Sequence, residues 1–327
     1  MGLYTIENGY RRQRHWKLVC AGLVIVFAGG YGINDYVHIQ SQVPKEESIS
    51  IKPVESLPLK PQKMISSLPW PKYGQAAYGV VNDGVLAESD DKDKPVPIAS
   101  LAKIITALAV LQEKPLAAGA QGPVIVLTDQ DEALYRKYLA KNGTVVPVQA
   151  GEQITQYQAL EAMLMSSSNN MADTLAIWAF GSVENYNTYA NNMLREFELQ
   201  ETTVADATGF SPSTKSTAAE MVKLGILYIK DPVLKNIASQ KKATIPFVGT
   251  ISNYNSTINQ GGILGLKIGN TDEAGRTFLV ADVRDGDINE TSVVAVIGAD
   301  SLPTAMKDAE KLLKLGNVSH DLLAGKP

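Results

Sequence analysis

The sequence predicts an α/β protein of the segregated α+β kind: a mostly antiparallel five-stranded sheet flanked by helices, with an all-helical subdomain. Three observations carry this. Asn82-Asp83-Gly84, set between two apolar runs, is a hairpin signal near the start of the globular part. Segments of period-two hydrophobicity gather near its end, and the stretch between the two is dominated by helical periodicity. Strands at both ends that enclose helices place the first hairpin beside the last three strands.

Taken in order, Ala76 to Val81 and Gly84 to Glu88 form that hairpin. Pro95 and Pro97 block a helix, and a run of good helix formers begins at Ser100. Ile104, Ala107, Leu108 and Leu111 give this helix a buried stripe. Val124 to Leu127 and Val145 to Val148 read as short strands, with Asp129 to Ala140 helical between them. Helices follow over Gln156 to Met165, Met171 to Phe180, Glu184 to Phe197 and Thr217 to Ile229. The period then becomes two over Ala243 to Phe247, Leu264 to Ile268, Thr277 to Val283 and Ser292 to Ile297, with Asp285-Gly286 turning the last pair. An amphipathic helix, Pro303 to Leu315, closes the domain, so 70–316 is the expected folded unit and 317–327 a tail.

Composition narrows the class. The chain has 327 residues, 45% hydrophobic and 20% charged, enough for one large domain or two small ones. A net charge of −4 gives no reason to expect nucleic-acid binding. His15, His38 and His320 all lie near the termini, and Cys20 is the one cysteine. A Ser-His-Asp triad and a catalytic zinc are therefore not expected, nor is any cofactor.

The N-terminus carries its own signal. Arg11, Arg12, Arg14 and Lys17 form a basic tail over 1–17, followed by an uncharged apolar run from Leu18 to Ile33. As a helix that run spans about 24 Å, a little short of the roughly 30 Å hydrocarbon core. It reads as a membrane anchor or, alternatively, a signal peptide cut after Ala28-Gly29-Gly30. The basic flank places the N-terminus in the cytoplasm and the rest outside in either case. Residues 34–69, with Pro44, Pro53, Pro58 and Pro61 and no sustained period, read as a linker that could extend about 110–120 Å.

Three short segments could carry chemistry. Ser100 and Lys103 lie three apart on one helical face. A serine hydroxyl needs an adjacent base to act as a nucleophile, and Lys103 can be that base only when neutral. Burial favours the neutral amine, and so does a second cation nearby. Two charges about 4 Å apart repel by roughly 4 kcal/mol at an effective dielectric near 20, or about three pKa units. Ser166-Ser167-Ser168-Asn169-Asn170 interrupts a helical stretch, and Gly265 to Gly275 places Lys267 in a strand before Gly269. Each has a plainer reading: a helix cap with a snorkelling lysine, a polar turn, and an edge-strand lysine.

Together, in this order, the three resemble the penicillin-recognising serine peptidases, whose signatures are Ser-x-x-Lys, Ser-Asp-Asn and Lys-Thr-Gly, with Ser167-Ser168-Asn169 similar to a Ser-Gly-Asn helix entry. The low-molecular-mass penicillin-binding proteins of the D-alanyl-D-alanine carboxypeptidase branch are most similar. The likeness extends to Thr208-Gly209-Phe210 and to Ser216 through Met221, and covers roughly 74–316. It implies a β-lactamase/DD-peptidase-like fold. Ser100 would attack the penultimate D-alanine carbonyl of a peptidoglycan stem peptide, and Lys103 would take its proton. Ser167 would relay protons to the leaving D-alanine. Asn169 would hold Lys103 and the substrate amide. Lys267 would be the second cation and would attract the terminal carboxylate. Backbone N–H groups of Ser100 and Asn270 would form the oxyanion hole, the latter within the Lys267-Ile268-Gly269-Asn270-Thr271 segment. β-Lactams would acylate Ser100.

Two positions depart from the pattern. Ile268 stands where the family carries threonine or serine, whose hydroxyl binds the carboxylate, and Thr271 is the nearest hydroxyl that could compensate. Asn170 replaces an acidic residue. Ile268 keeps open a second reading, a catalytically weak protein that binds peptidoglycan or a partner. A β-lactamase is disfavoured, since no Glu-x-x-Leu-Asn lies between Asn170 and Leu266.

Overall fold

A computed structural model describes residues 68–89, 94–258 and 261–325. The basic tail, the apolar run and nearly all of the linker fall outside the described residues. Among those described, no helix is long and apolar enough to cross a membrane.

The first hairpin forms as β1 (Gln75–Val80) and β2 (Gly84–Glu88). Late in the chain come β3 (Ile263–Thr271), β4 (Gly275–Asp282) and β5 (Ser292–Ala299). The sheet order is β2-β1-β5-β4-β3, every pair antiparallel, with Gln75 opposite Ile297. β3 is thus an edge strand, and the predicted five-stranded sheet is present.

Both faces of the sheet are covered, so its inner strands are buried along nearly their whole length. On one face Tyr78, Val80, Phe278, Val294 and Val296 pack against Ala305, Ala309, Leu312 and Leu313 of the last helix. Tyr78 and Phe278 are fully buried, each contributing about 1.5–3 kcal/mol of transfer free energy. Leu68, expected in the linker, is buried in this layer. On the other face Ala77, Leu279, Ala281, Val293 and Ala295 meet the large helical core.

That core is built from α1 (Ala102–Glu113), α2 (Asp129–Leu139), α3 (Gln156–Met165), α4 (Asn169–Phe180), α5 (Val183–Glu196), α6 (Ala218–Lys230) and α7 (Pro232–Ser239). Local chemistry sets the ends. Thr155 and Gln158 form a capping box on α3, and Ser168, Ser182 and Thr217 cap α4, α5 and α6. α7 goes beyond the helices expected from periodicity. Asp231 caps it by accepting from Val233 and Leu234 N–H, with Pro232 in its first turn.

Several expectations are corrected. Val145 to Val148 is not a strand. Val146 gives its N–H to Ser168 Oγ and Asn170 Oδ1, and its carbonyl accepts from Asn170 Nδ2. Its ladder partner is a side chain. Val124–Val126 pairs instead with Gln153–Thr155. Within the run read as Ala243 to Phe247, Lys242–Ile245 forms a strand that pairs with Gly249–Ser252, a partner not expected from sequence. The last helix, α8 (Leu302–Leu323), runs past the predicted Leu315 into the supposed tail. Asn317 bonds Asp282 and Tyr78, His320 bonds Asp83, and Arg284 makes two bonds to Asp321, which fasten that extra length to the sheet.

Candidate active site

The site lies between the helical core and the edge strand β3. A cleft of about 310 Å³ is lined by Ser100, Ser167, Asn169, Gly269, Asn270 and Thr271, among others. Six of the eight residues expected to act from sequence therefore face this space. Lys103 joins them from the first turn of α1 through its bond to Ser100. Lys267 lies on β3 but is buried rather than lining the cleft.

Ser100 stands in a 3-10 turn, Ala99–Leu101, that leads into α1. Ala99 before it is held at φ 47°, the left-handed region. The opposite wall explains why this turn is fixed. A β-carbon on Gly269 would lie 2.4 Å from Thr277 Oγ1 and 3.0 Å from Ser100 N, so only glycine lets β3 approach the serine backbone.

Lys103 is fully buried, and its amine has three partners. Nζ lies 2.7 Å from Asn169 Oδ1, 2.7 Å from the Thr208 carbonyl and 3.0 Å from Ser100 Oγ. The two carbonyl oxygens can only accept. A neutral Lys103 spends both of its N–H donors on them and leaves its lone pair to accept from the Ser100 hydroxyl. Burial lowers the Lys103 pKa to about 7, opposed by the carboxylates of Asp206 and Asp173. A large neutral fraction of the base is therefore present near physiological pH.

Of the two causes expected from sequence, burial and a second cation, only the first lowers Lys103. Burial, not Lys267, depresses Lys103. Charge crowding acts the other way: Lys267, buried and donating to the Ile268 carbonyl at 2.9 Å, is held well below the usual lysine range by burial first and by Lys103 second.

Ser167 sits between α3 and α4 at φ 60°, and its hydroxyl has no partner among the described residues. It is free to face a substrate. Asn169, the first residue of α4, points Oδ1 at Lys103. Asn170 holds the neighbouring loop at Val146, so its replacement of an acid serves packing. Thr271 lines the cleft, but its hydroxyl accepts from Ala274 N–H at 3.1 Å and closes the β3–β4 turn. Ile268, paired with Phe278 across β3 and β4, packs against the apolar cluster on the α8 face, which favours an apolar side chain there.

Sequence reading gives no role to four further residues. Thr208 supplies the carbonyl that fixes Lys103. Asp206 organises that loop by accepting from Thr208 Oγ1 and Thr214 Oγ1, both at 2.5 Å, and from Phe210 N–H. Asp206-Ala207-Thr208-Gly209 is a turn-forming run, which is its only local signal. Asn255 clamps β3, accepting from Ile268 N–H at 2.9 Å and donating to the Leu164 carbonyl at 2.9 Å. Arg276 reaches the cleft from β4.

Comparison with known proteins places this geometry. A family model described as D-alanyl-D-alanine carboxypeptidase matches residues 81–301. A D-alanyl-D-alanine endopeptidase of Pseudomonas aeruginosa is 28% identical over 285 residues, covering 83% of this chain and 84% of that protein. D-alanyl-D-alanine carboxypeptidase DacC of Escherichia coli is 29% identical over 243 residues, 71% of this chain and 58% of that one. Among solved structures, a D-alanyl-D-alanine carboxypeptidase of Mycobacterium tuberculosis has a TM-score of 0.65 at 24% identity, covering 81% of this chain and 95% of its own. Penicillin binding protein 6B of Escherichia coli has a TM-score of 0.68 at 21% identity, covering 80% and 81%. At these identities the two structures speak to the fold alone.

Proposed function

This chain belongs to the D-alanyl-D-alanine carboxypeptidase family, and we propose that Ser100, Lys103 and Ser167 carry its reaction. The protein is a penicillin-recognising serine hydrolase that removes the terminal D-alanine of peptidoglycan stem peptides. The observation that carries the residue roles is the buried Lys103 amine, held by Asn169 Oδ1 and the Thr208 carbonyl with Ser100 Oγ 3.0 Å away.

Ser100 Oγ attacks the carbonyl carbon of the penultimate D-alanine as its proton passes to Lys103 Nζ. The oxygen becomes an oxyanion received by the backbone N–H groups of Ser100 and Asn270, donors of a kind worth roughly 3–4 kcal/mol each. The C–N bond then breaks, and the leaving amine takes a proton from Ser167 Oγ, which Lys103 replenishes. Water attacks the acyl-Ser100 ester as Lys103 accepts its proton, the ester C–O bond breaks, Lys103 returns the proton to Ser100 Oγ, and the shortened peptide departs. Asn169 holds Lys103 and the substrate amide, while Lys267, Gly269 and Thr271 border the path of the terminal residue. A β-lactam enters the same first step and remains on Ser100.

We read Leu18 to Ile33 as an anchor that holds this domain outside the cytoplasm, where peptidoglycan lies; the basic residues before it support that orientation. Fluorescent penicillin and a pentapeptide test the whole reading. The parent chain should label and release D-alanine, and Ser100→Ala should do neither. A parent that neither labels nor hydrolyses would favour a binding role, for which Ile268 is the argument.

A further inference from the structure

Three elements meet at the end of the sheet remote from Ser100, and each brings a carboxylate or an imidazole. His320 and Asp321 stand in the last turns of α8. Glu290 lies in the loop between β4 and β5, and Asp83 in the β1–β2 turn. The catalytic edge is elsewhere. Gly269, which faces Ser100, pairs with Thr277 near the start of β4, whereas this cluster gathers beyond its end at Asp282.

The histidine is the unusual member. Its Nε2 lies 2.8 Å from Asp83 Oδ2, and a carboxylate can only accept, so Nε2 carries the hydrogen. Nδ1 is sealed from solvent and has no hydrogen-bond partner among the described residues. A buried lone pair without a donor is costly, so this nitrogen calls for an occupant. An imidazole held by a carboxylate through one nitrogen, with the other bare, is how metal-ligating histidines are oriented.

A ring nitrogen of His320, one oxygen of Glu290 and one of Asp321 all lie within 4.8 Å of one another. Ligands bound at about 2.0–2.2 Å stand about 3–4 Å apart, so a small inward turn of these side chains closes the set. Asp321 accepts from Arg284 at 2.9 and 2.7 Å, which leaves about two of its four lone-pair sites for a metal. Charge points the same way. Asp83, Glu290 and Asp321 are negative, and Arg284 is the positive group among them, so a divalent cation balances the remainder.

We propose that His320 Nδ1, Glu290 and Asp321 hold a divalent ion of the zinc class, with water completing its shell. One imidazole with two carboxylates is a zinc donor set, whereas calcium and magnesium take oxygen ligands. The ion fastens the end of α8 to the β4–β5 loop, and Asp83 carries the tie on to the first hairpin. It braces the fold and takes no part in the reaction at Ser100.

The test strips the full chain with a chelator and titrates it with zinc against a competing chelating dye. The parent should take up one equivalent that His320→Asn loses. Asp83→Asn, which only frees the ring, should weaken zinc by about 10- to 100-fold, and Glu290→Gln by more. Zinc at 100 times its Kd should raise the parent's melting temperature by about 5–10 °C and leave that of Glu290→Gln unmoved. Glu290 lies in a loop, so this variant reads the site even where His320→Asn fails to fold. Uptake at His15, Cys20 or His38 would survive Glu290→Gln, and uptake that survives it undiminished overturns the proposal. So does a parent that takes up no zinc or melts at the same temperature with it.

Discussion

Gly209 lies against Ala99 so closely that a β-carbon on it would come within 1.7 Å of the Ala99 carbonyl oxygen. Gly209 also holds φ 72°, so the loop that carries Thr208 and the turn that carries Ser100 are locked by a missing side chain. Gly209→Ala must push the two apart. Overpacking and a strained φ together should cost about 3 kcal/mol or more. Thermal melting should show a clear fall, and penicillin labelling should fall further than the residual folded fraction accounts for.

The pH dependence follows from Lys103. As a base it must be neutral, so kcat/KM should rise with pH through a limb near 7. The Asp206 carboxylate favours the charged amine. Asp206→Asn should therefore move that limb to lower pH, as well as lowering kcat through its loosened loop. An unmoved limb would show that Asp206 acts on shape alone.

Stability carries the same sign. The Lys103 pKa is about 7 folded and about 10.4 unfolded, so between those values the unfolded chain binds the extra proton. Its contribution should make stability rise from pH 7 toward 10, with Lys267 adding to the slope. Denaturant midpoints across that window in the parent and in Lys103→Met measure it; the variant should show the shallower rise.

Asn255 is the bolt between β3 and the end of α3. Asn255→Ala leaves the Ile268 N–H and the Leu164 carbonyl without their partner, at a cost of about 1–3 kcal/mol for each buried group. The melting temperature should drop, and KM should rise more than kcat falls, because β3 forms a wall of the cleft.

Ser167 permits a separation of strain from chemistry. Both Ser167→Ala and Ser167→Gly remove the hydroxyl and should lose activity alike. Only glycine relieves φ 60°, so Ser167→Gly should be the more stable by about 1 kcal/mol. Equal melting temperatures would show that the turn costs nothing.

How much of this is legible in the sequence depends on where each bond goes. The β1–β2 hairpin and α3 can be read closely because turn residues, capping boxes and periodicity are local. Ser100, Lys103, Ser167 and Asn169 stand out because their spacing is short or their turn distinctive. Val145 to Val148 misleads because its apolar alternation is genuine while its partner is Asn170, which no period can reveal. Of the two causes expected to depress Lys103, burial and a second cation, burial is the one that acts, and it depends on the whole helical core. Arg276 and Asn255 leave no signal because each acts through a partner strand.

The sheet has a consequence for how the protein is made. β1 lies between β2 and β5, with Gln75 beside Ile297. A ribosome releases the first of these strands long before the last, and such distant pairing is slow to form. A chain ended anywhere before Ser292 leaves β1 and β4 with open edges toward each other, the kind of surface that draws aggregation. Prematurely terminated copies should therefore be insoluble rather than partly active, and the enzyme exists only once its final strand has been translated.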